Sequence, residues 1–216
     1  MQRSSSHTFF TETEKKRLEV TARDIESRTI GEVVVLVVDS SDPYFEAEVL
    51  GGIVVGGCLS LFLTLLFFCS SLLFFLPLSF LLYFPAQYLM RREPRLKALF
   101  LGAERKEHAV REGALRAFFE KGLYKTKENT GVLFFLSLLE RKVWVLADKG
   151  IYQKIGQETL DRYAKAVSQG VREGRPCDAL CEAIEGVGQL LAEHFPIKPG
   201  DIDELPDELI TEGGRS

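Results

Sequence analysis

The distribution of apolar and polar positions divides the chain before any motif is considered. No charged residue lies between Glu48 and Arg91, and the forty-two residues of that run carry no polar stripe. A helix rises about 1.5 Å per residue, so about 20 residues cross a hydrocarbon core of roughly 30 Å. The run therefore predicts two spans in a hairpin, one helix over 49–68, a turn at Cys69-Ser70-Ser71 and a second helix over 72–90. A buried helix pair of a soluble protein would keep one polar face. A secretory signal fits no better, because nearly fifty largely polar residues precede the run and no small-residue cleavage site follows it.

Outside the run the periods are those of a small α/β domain. Thr11 and Glu14 make a capping box, and Leu18, Ala22 and Ile25 recur at helical spacing, predicting a helix over 12–27. Val33 to Val38 is a continuous apolar stretch bounded by Gly31 and Asp39-Ser40-Ser41-Asp42-Pro43, as in a strand buried on both faces. A helix over 96–121 follows the apolar run. Residues 132–138 and 143–147, separated by Glu140-Arg141-Lys142, then predict an antiparallel strand pair. Amphipathic stripes predict two closing helices, over 158–173 and 176–194.

Three strands among these helices predict an α/β fold, a small sheet packed between helices as an α/β/α sandwich. Neither flank of the apolar run holds enough strand to fold alone, so the domain is expected to be discontinuous, with the transmembrane helical hairpin inserted in it. The boundaries that follow are a loose N-terminal tail at 1–8, a first part of the domain at 9–48, the hairpin at 49–90, a second part at 91–195 and an acidic C-terminal tail at 196–216. A hairpin returns the chain to the side it left, which lets the two parts meet.

Charge sets the orientation. Arg91, Arg92, Arg95 and Lys97 flank the second span, with Arg105 and Lys106 beyond, and the turn between the spans has no basic residue. Basic residues stay on the cytoplasmic side, so both termini are expected in the cytoplasm, at the inner or plasma membrane of a bacterium. The basic cluster suits lipid headgroups, and with a net charge of −4 nucleic acid is not an expected partner. Cys177 and Cys181 share one face of a predicted helix without a second pair at metal-finger spacing, and read as packed thiols.

The segments Thr29-Ile30-Gly31-Glu32 before the valine-rich strand, Thr130-Gly131-Val132-Leu133, Glu140-Arg141-Lys142-Val143 and Leu146-Ala147-Asp148-Lys149-Gly150-Ile151 resemble the TPM domain family. That family takes its name from a thylakoid lumen protein, a photosystem II protein and a nematode receptor modulator. The stretch from Leu191-Ala192-Glu193-His194-Phe195-Pro196 to Glu204-Leu205-Pro206-Asp207 looks like the tail of its bacterial membrane-embedded branch, in which a hydrophobic insertion splits the domain. The resemblance implies one of several roles: acid phosphatase, calcium-binding domain, or accessory factor for a membrane complex.

Candidate chemistry rests on carboxylates after strands. Asp39 and Asp42 follow the first strand and Asp148 the third, so these three would gather at one sheet edge if the two strands ran parallel. Such an oxygen-rich group suits Ca²⁺ or Mg²⁺. The bland reading is that all three are solvated turn residues or caps. Glu140 and Arg141 read as a turn kept soluble by charge, and His194 as a helix-end imidazole. The tail acids Asp201, Asp203, Glu204, Asp207 and Glu208 read as a docking segment or a solvated terminus, with packing back on the domain favoured. No Gly-x-Ser-x-Gly, Cys-x₅-Arg, Walker or Gly-x-Gly-x-x-Gly motif occurs. The leading expectation is a membrane-tethered, non-catalytic domain that binds a divalent cation or a membrane protein partner. The alternative is a metal-dependent phosphatase working through metal-activated water near the membrane.

Overall fold

The helix start written at Thr11 forms as expected. The Thr11 hydroxyl accepts from the Glu14 N–H at 3.3 Å and the Glu14 carboxylate accepts from the Thr11 N–H at 2.8 Å, closing the capping box. The computed structural model describes residues 6–67, 72–126, 128–197 and 210–212. Over these the protein is mixed α/β, a four-stranded sheet among mostly helices.

In chain order the elements are α1 (Ser6–Phe9), α2 (Glu12–Glu26), β1 (Glu32–Val38), α3 (Phe45–Phe67), α4 (Leu72–Arg92), α5 (Pro94–Leu99) and α6 (Ala103–Glu120). A 3-10 turn (Leu123–Lys125), β2 (Gly131–Ser137), β3 (Lys142–Ala147), α7 (Lys149–Ile155), α8 (Gln157–Arg172), α9 (Pro176–His194) and β4 (Ile210–Glu212) complete it. The chain divides into two compact units, Met1–Asp42 with Glu107–Ser216, and Pro43–Lys106.

In the first unit the sheet order is β3-β2-β1-β4. β1 is parallel to β2 and to β4, and β2 is antiparallel to β3. β1 and β2 are buried along their whole lengths because helices cover both faces. Val33, Val35, Val37, Phe134 and Leu136 pack with Leu18, Ile25, Leu160, Leu180 and Ile184 from α2, α8 and α9. On the other face Val34, Leu36, Leu133 and Phe135 pack with Val110, Ala114 and Phe118 of α6. A period-two strand with apolar residues on both faces can do this only between two helical layers.

Four elements differ from the sequence expectation. The helix expected over 96–121 is two helices, α5 and α6, broken where Phe100 leaves helical geometry and Leu101 turns inward before Gly102. α1 occupies part of the expected loose tail and α7 follows Asp148 directly. β4 lies within the acidic tail and pairs Leu36↔Ile210 through Val38↔Glu212, so that part of the tail does pack back. A three-residue strand has too little pattern to be read from sequence; the β1 edge it covers creates it. The tail acids and the Cys69-Ser70-Ser71 turn lie outside the described residues.

In the second unit α3 and α4 are long and apolar enough to cross a membrane. α3 starts at Phe45 rather than at the charge boundary, since Glu46 and Glu48 suit the positive end of a helix dipole. Gly52, Gly56, Ser60 and Thr64 recur every fourth residue and are buried along one face of α3. The Ser60 hydroxyl donates to the Phe75 carbonyl at 3.0 Å. A Cβ added at Gly56 would lie 3.1 Å from both the Cα and N of Tyr83, so it is backbone that approaches there. Gly56→Leu is expected to part the helices and cost the hairpin about 2 kcal/mol by overpacking. Titration of the micelle-bound chain with sodium dodecyl sulfate reads this directly; a leucine variant that unfolds with the parent would remove the close approach from the account.

Candidate functional site

Because β1 and β2 run parallel in the register Glu32↔Gly131 to Val38↔Ser137, their carboxyl ends open at the same end of the sheet. Asp39-Ser40-Ser41-Asp42 leaves β1 there and Leu138 to Arg141 leaves β2. Pairing continues past the strands, with the Leu138 N–H on the Val38 carbonyl and the Leu139 N–H on the Asp39 carbonyl, each at 3.0 Å.

Glu140 joins the two loops. Its carboxylate is folded inward, only 6% of the residue being exposed, and accepts from the Ser41 N–H at 3.0 Å and from the Ser137 hydroxyl. Arg141 takes a φ of 53°, turning the chain into β3. Asp39 accepts from the Ser6 N–H, and the Ser40 hydroxyl donates to the Asp42 carbonyl at 2.6 Å. α6 comes down on this corner: a Cβ at Gly113 would meet the Phe135 ring at 3.0 Å and Ser41 Cβ at 3.2 Å. The Ser41 hydroxyl is buried beneath it without a hydrogen-bond partner among the described residues. At the exposed flank, the Lys142 ammonium hydrogen-bonded to Glu107 holds that carboxyl below its ordinary range.

Asp148 is elsewhere. β3 runs antiparallel to β2, so its carboxyl end is the amino end of β1 and β2. There the Asp148 N–H donates to the Gly131 carbonyl at 2.9 Å and its side chain caps α7, accepting from the Lys149 N–H at 2.7 Å. The seven residues of β1, at about 3.3 Å each, put about 20 Å between Asp39 and Asp148. The gathering of Asp39, Asp42 and Asp148 expected from sequence is therefore corrected. The Glu140-Arg141 turn is too short for anything but an antiparallel return, and β1 pairs parallel with β2.

A hard cation such as Ca²⁺ or Mg²⁺ takes six or more oxygen ligands. At the carboxyl end Glu140 and Asp39 are engaged by Ser41, Ser137 and Ser6. Among the described residues no group of three His, Cys, Asp or Glu side chains is placed to hold an ion. Among the described residues the donor set at this end of the sheet does not assemble a site for such a cation.

Sequence reading missed Glu140, Ser137, Ser41 and Gly113. The one available signal was the three-residue spacing of Ser137 and Glu140 at a strand end, which a soluble turn charge does not need. At the amino end Glu26 accepts from the Val33 N–H at 2.9 Å beside the β1 edge, and the Glu32 backbone N–H donates to the Thr130 carbonyl at 3.1 Å.

Cys177 and Cys181 are buried free thiols in the core, as expected. Burial, and then its Cys181 neighbour, push the Cys177 thiol up to about 11. A folded-state value above the unfolded one keeps the proton on the folded chain, so the stability it supports is complete below about pH 9 and lost as pH rises toward 11. Unfolding titrations are expected to show a decline of up to about 1.4 kcal/mol per pH unit in this window. Cys177→Ala should flatten it; an unchanged slope would place the titrating group elsewhere.

Residues 101–190 match the family model of the TPM domain, which bears out the resemblance read from the sequence. The match begins just before α6 and ends within α9, leaving β1 outside it. The BA42 protein of the psychrophilic bacterium Bizionia argentinensis, known from an NMR structure, is similar in fold. It is 20% identical with a TM-score of 0.59, over 94% of this chain and 96% of its own. No curated protein matches the chain.

Proposed function

We propose that this chain, with a TPM domain at residues 101–190, is an integral membrane protein. In this reading α3 and α4 cross the bilayer as a hairpin, and the domain serves a membrane complex on the cytoplasmic side as a non-catalytic, protein-binding accessory factor. The observation that carries the reading is the outer surface of the hairpin. Ile53, Phe62 and Leu66 on α3 and Leu76, Phe80 and Phe84 on α4 are all more than half exposed, while Gly52, Gly56, Ser60 and Thr64 of α3 are turned inward. Water disfavours such a surface by about 25 cal/mol per Å², and a bilayer removes the penalty. Burial of Gly and Ser with exposure of Phe and Leu is the packing of membrane helices. The interior prolines of α4, Pro77 and Pro85, are tolerated in that setting too.

The cytoplasmic placement rests on the basic residues after α4. The accessory role rests on the carboxyl end of β1 and β2, where the polar side chains engage one another. With Asp39 separated from Asp148, the phosphatase alternative is left resting on the family resemblance rather than on a shared Asp cluster.

Alkaline carbonate extraction and reporter fusions at the N-terminus, near residue 70 and at the C-terminus test the placement. Extraction of the chain, or an external C-terminus, contradicts it. For the role, the full chain purified in mild detergent should carry a stoichiometric membrane protein and leave a generic phosphomonoester intact. Turnover abolished by Asp39→Ala would replace the accessory role by a hydrolase.

A further inference from the structure

The basic residues that follow α4 do two different jobs. Lys97, 13% exposed, is paired with Glu48, 8% exposed, and donates to the Pro43 carbonyl at 3.3 Å. Arg105 pairs with Glu46 at 2.8 Å and stacks on the Tyr44 ring at 5.1 Å, and Lys106 donates to the Ala98 carbonyl at 2.9 Å. These three cations close the base of the hairpin on itself.

Arg91, Arg92 and Arg95 instead keep exposed side chains. The inward face of α4 is set by the buried Ala86 and Met90, the latter against Gly51 of α3, so Arg91 and Arg92 lie off that face. Arg92 Nε donates to the Tyr88 hydroxyl at 3.0 Å and its guanidinium lies 5.4 Å from the centre of that ring. Tyr88 is itself exposed, one turn inside the apolar surface, as tyrosines are at a membrane–water boundary. Leu99, at the end of α5, is 77% exposed beside them in sequence. From Arg91 to Ala103 the half-buried Glu93 is the one carboxylate.

We infer that Arg91, Arg92 and Arg95 form a binding site for the phosphate headgroups of anionic phospholipids, with Tyr88 and Leu99 seated at the boundary of headgroup and acyl chain. The inference rests on the reading of α3 and α4 as bilayer spans. Guanidinium forks bind phosphate oxygens in pairs, and these three arise from the end of α4 and the start of α5, directly after the apolar surface. A basic residue at the surface of an anionic leaflet strengthens association about five-fold.

The test uses the full chain reconstituted in phosphatidylcholine vesicles carrying a trace of spin-labelled phosphatidylglycerol or phosphatidylcholine. The motionally restricted fraction gives their relative association constant. A preference of about five-fold or more for phosphatidylglycerol is expected, weakening in about 0.5 M salt. It should fall close to one in R91Q/R92Q/R95Q while Arg105→Gln, which removes a basic residue from the more exposed pair with Glu46, retains it. A triple variant that keeps the preference, or a parent chain that has none, overturns the inference with the spanning reading intact. If neither label shows restricted lipid, the spanning reading itself has failed and takes the inference with it.

Discussion

Glu48→Ala is expected to loosen the base of the hairpin by about 3 to 5 kcal/mol, the loss typical when one partner of a buried ion pair is removed. Lys97 is the reason. Its side chain is 13% exposed and its ammonium also donates to the Pro43 carbonyl at 3.3 Å, so without Glu48 it is left as a charge in a site that water barely reaches. Hydrogen exchange of the micelle-bound protein should show amide protection over 94–100 reduced by about two to three and a half orders of magnitude, since each 1.4 kcal/mol is a factor of ten. The double variant Glu48→Leu with Lys97→Met removes both charges and should recover most of the protection, because burying a matched apolar pair avoids both desolvation costs. Protection within a few-fold of the parent in Glu48→Ala alone would mean that the pair does not hold α3 to α5. Glu46 and Arg105 are a useful contrast. Their side chains are 53% and 39% exposed, so screening by water limits that pair to a fraction of the effect.

Glu140→Ala should lower the stability of the sheet-bearing unit by about 3 kcal/mol. Its carboxylate accepts one backbone and one hydroxyl hydrogen bond at a corner where only 6% of the residue meets solvent. Hydrogen bonds to a charged group contribute about 1.5 to 3 kcal/mol, and truncation also strands the Ser41 N–H. Trp144 is the protein's single tryptophan and packs on the α6 face of the sheet, so its fluorescence during urea unfolding follows this unit. Glu140→Gln keeps an acceptor for one donor and should fall between parent and alanine; Ser137→Ala, which removes the hydroxyl donor, should cost about 1 kcal/mol. If Glu140→Ala unfolds at the parent midpoint, the corner is held by the strand pairing alone.

The two units owe different things to their sequence. The membrane-compatible hairpin was legible because it is a property of composition: residues 49–90 have no charge, and no tertiary contact is needed to see that. The Thr11 cap, β1, and the antiparallel β2–β3 pair were legible for a similar reason, since each depends on neighbours a few residues away. What could not be read from residues alone was the small stripe Gly52, Gly56, Ser60 and Thr64, because its meaning depends on which face of α3 meets α4.

The candidate site shows the same boundary more sharply. Asp39, Asp42 and Asp148 stand out in the sequence because they follow strands, which is a local criterion. Whether they meet depends on strand direction, and a parallel β1–β2 pair beside an antiparallel β2–β3 pair sends Asp148 to the far end. Glu140, passed over as a turn charge, is drawn inward by donors from both sides, Ser41 lying ninety-nine residues away in the chain. Sequence by itself determined the segregation of charge, the periods of the main elements and the family resemblance, since all are carried by short windows. Only the tertiary structure decided which carboxylates share an end of the sheet, which basic residues are bound internally and which three face outward, because those follow from pairings between segments far apart in the chain.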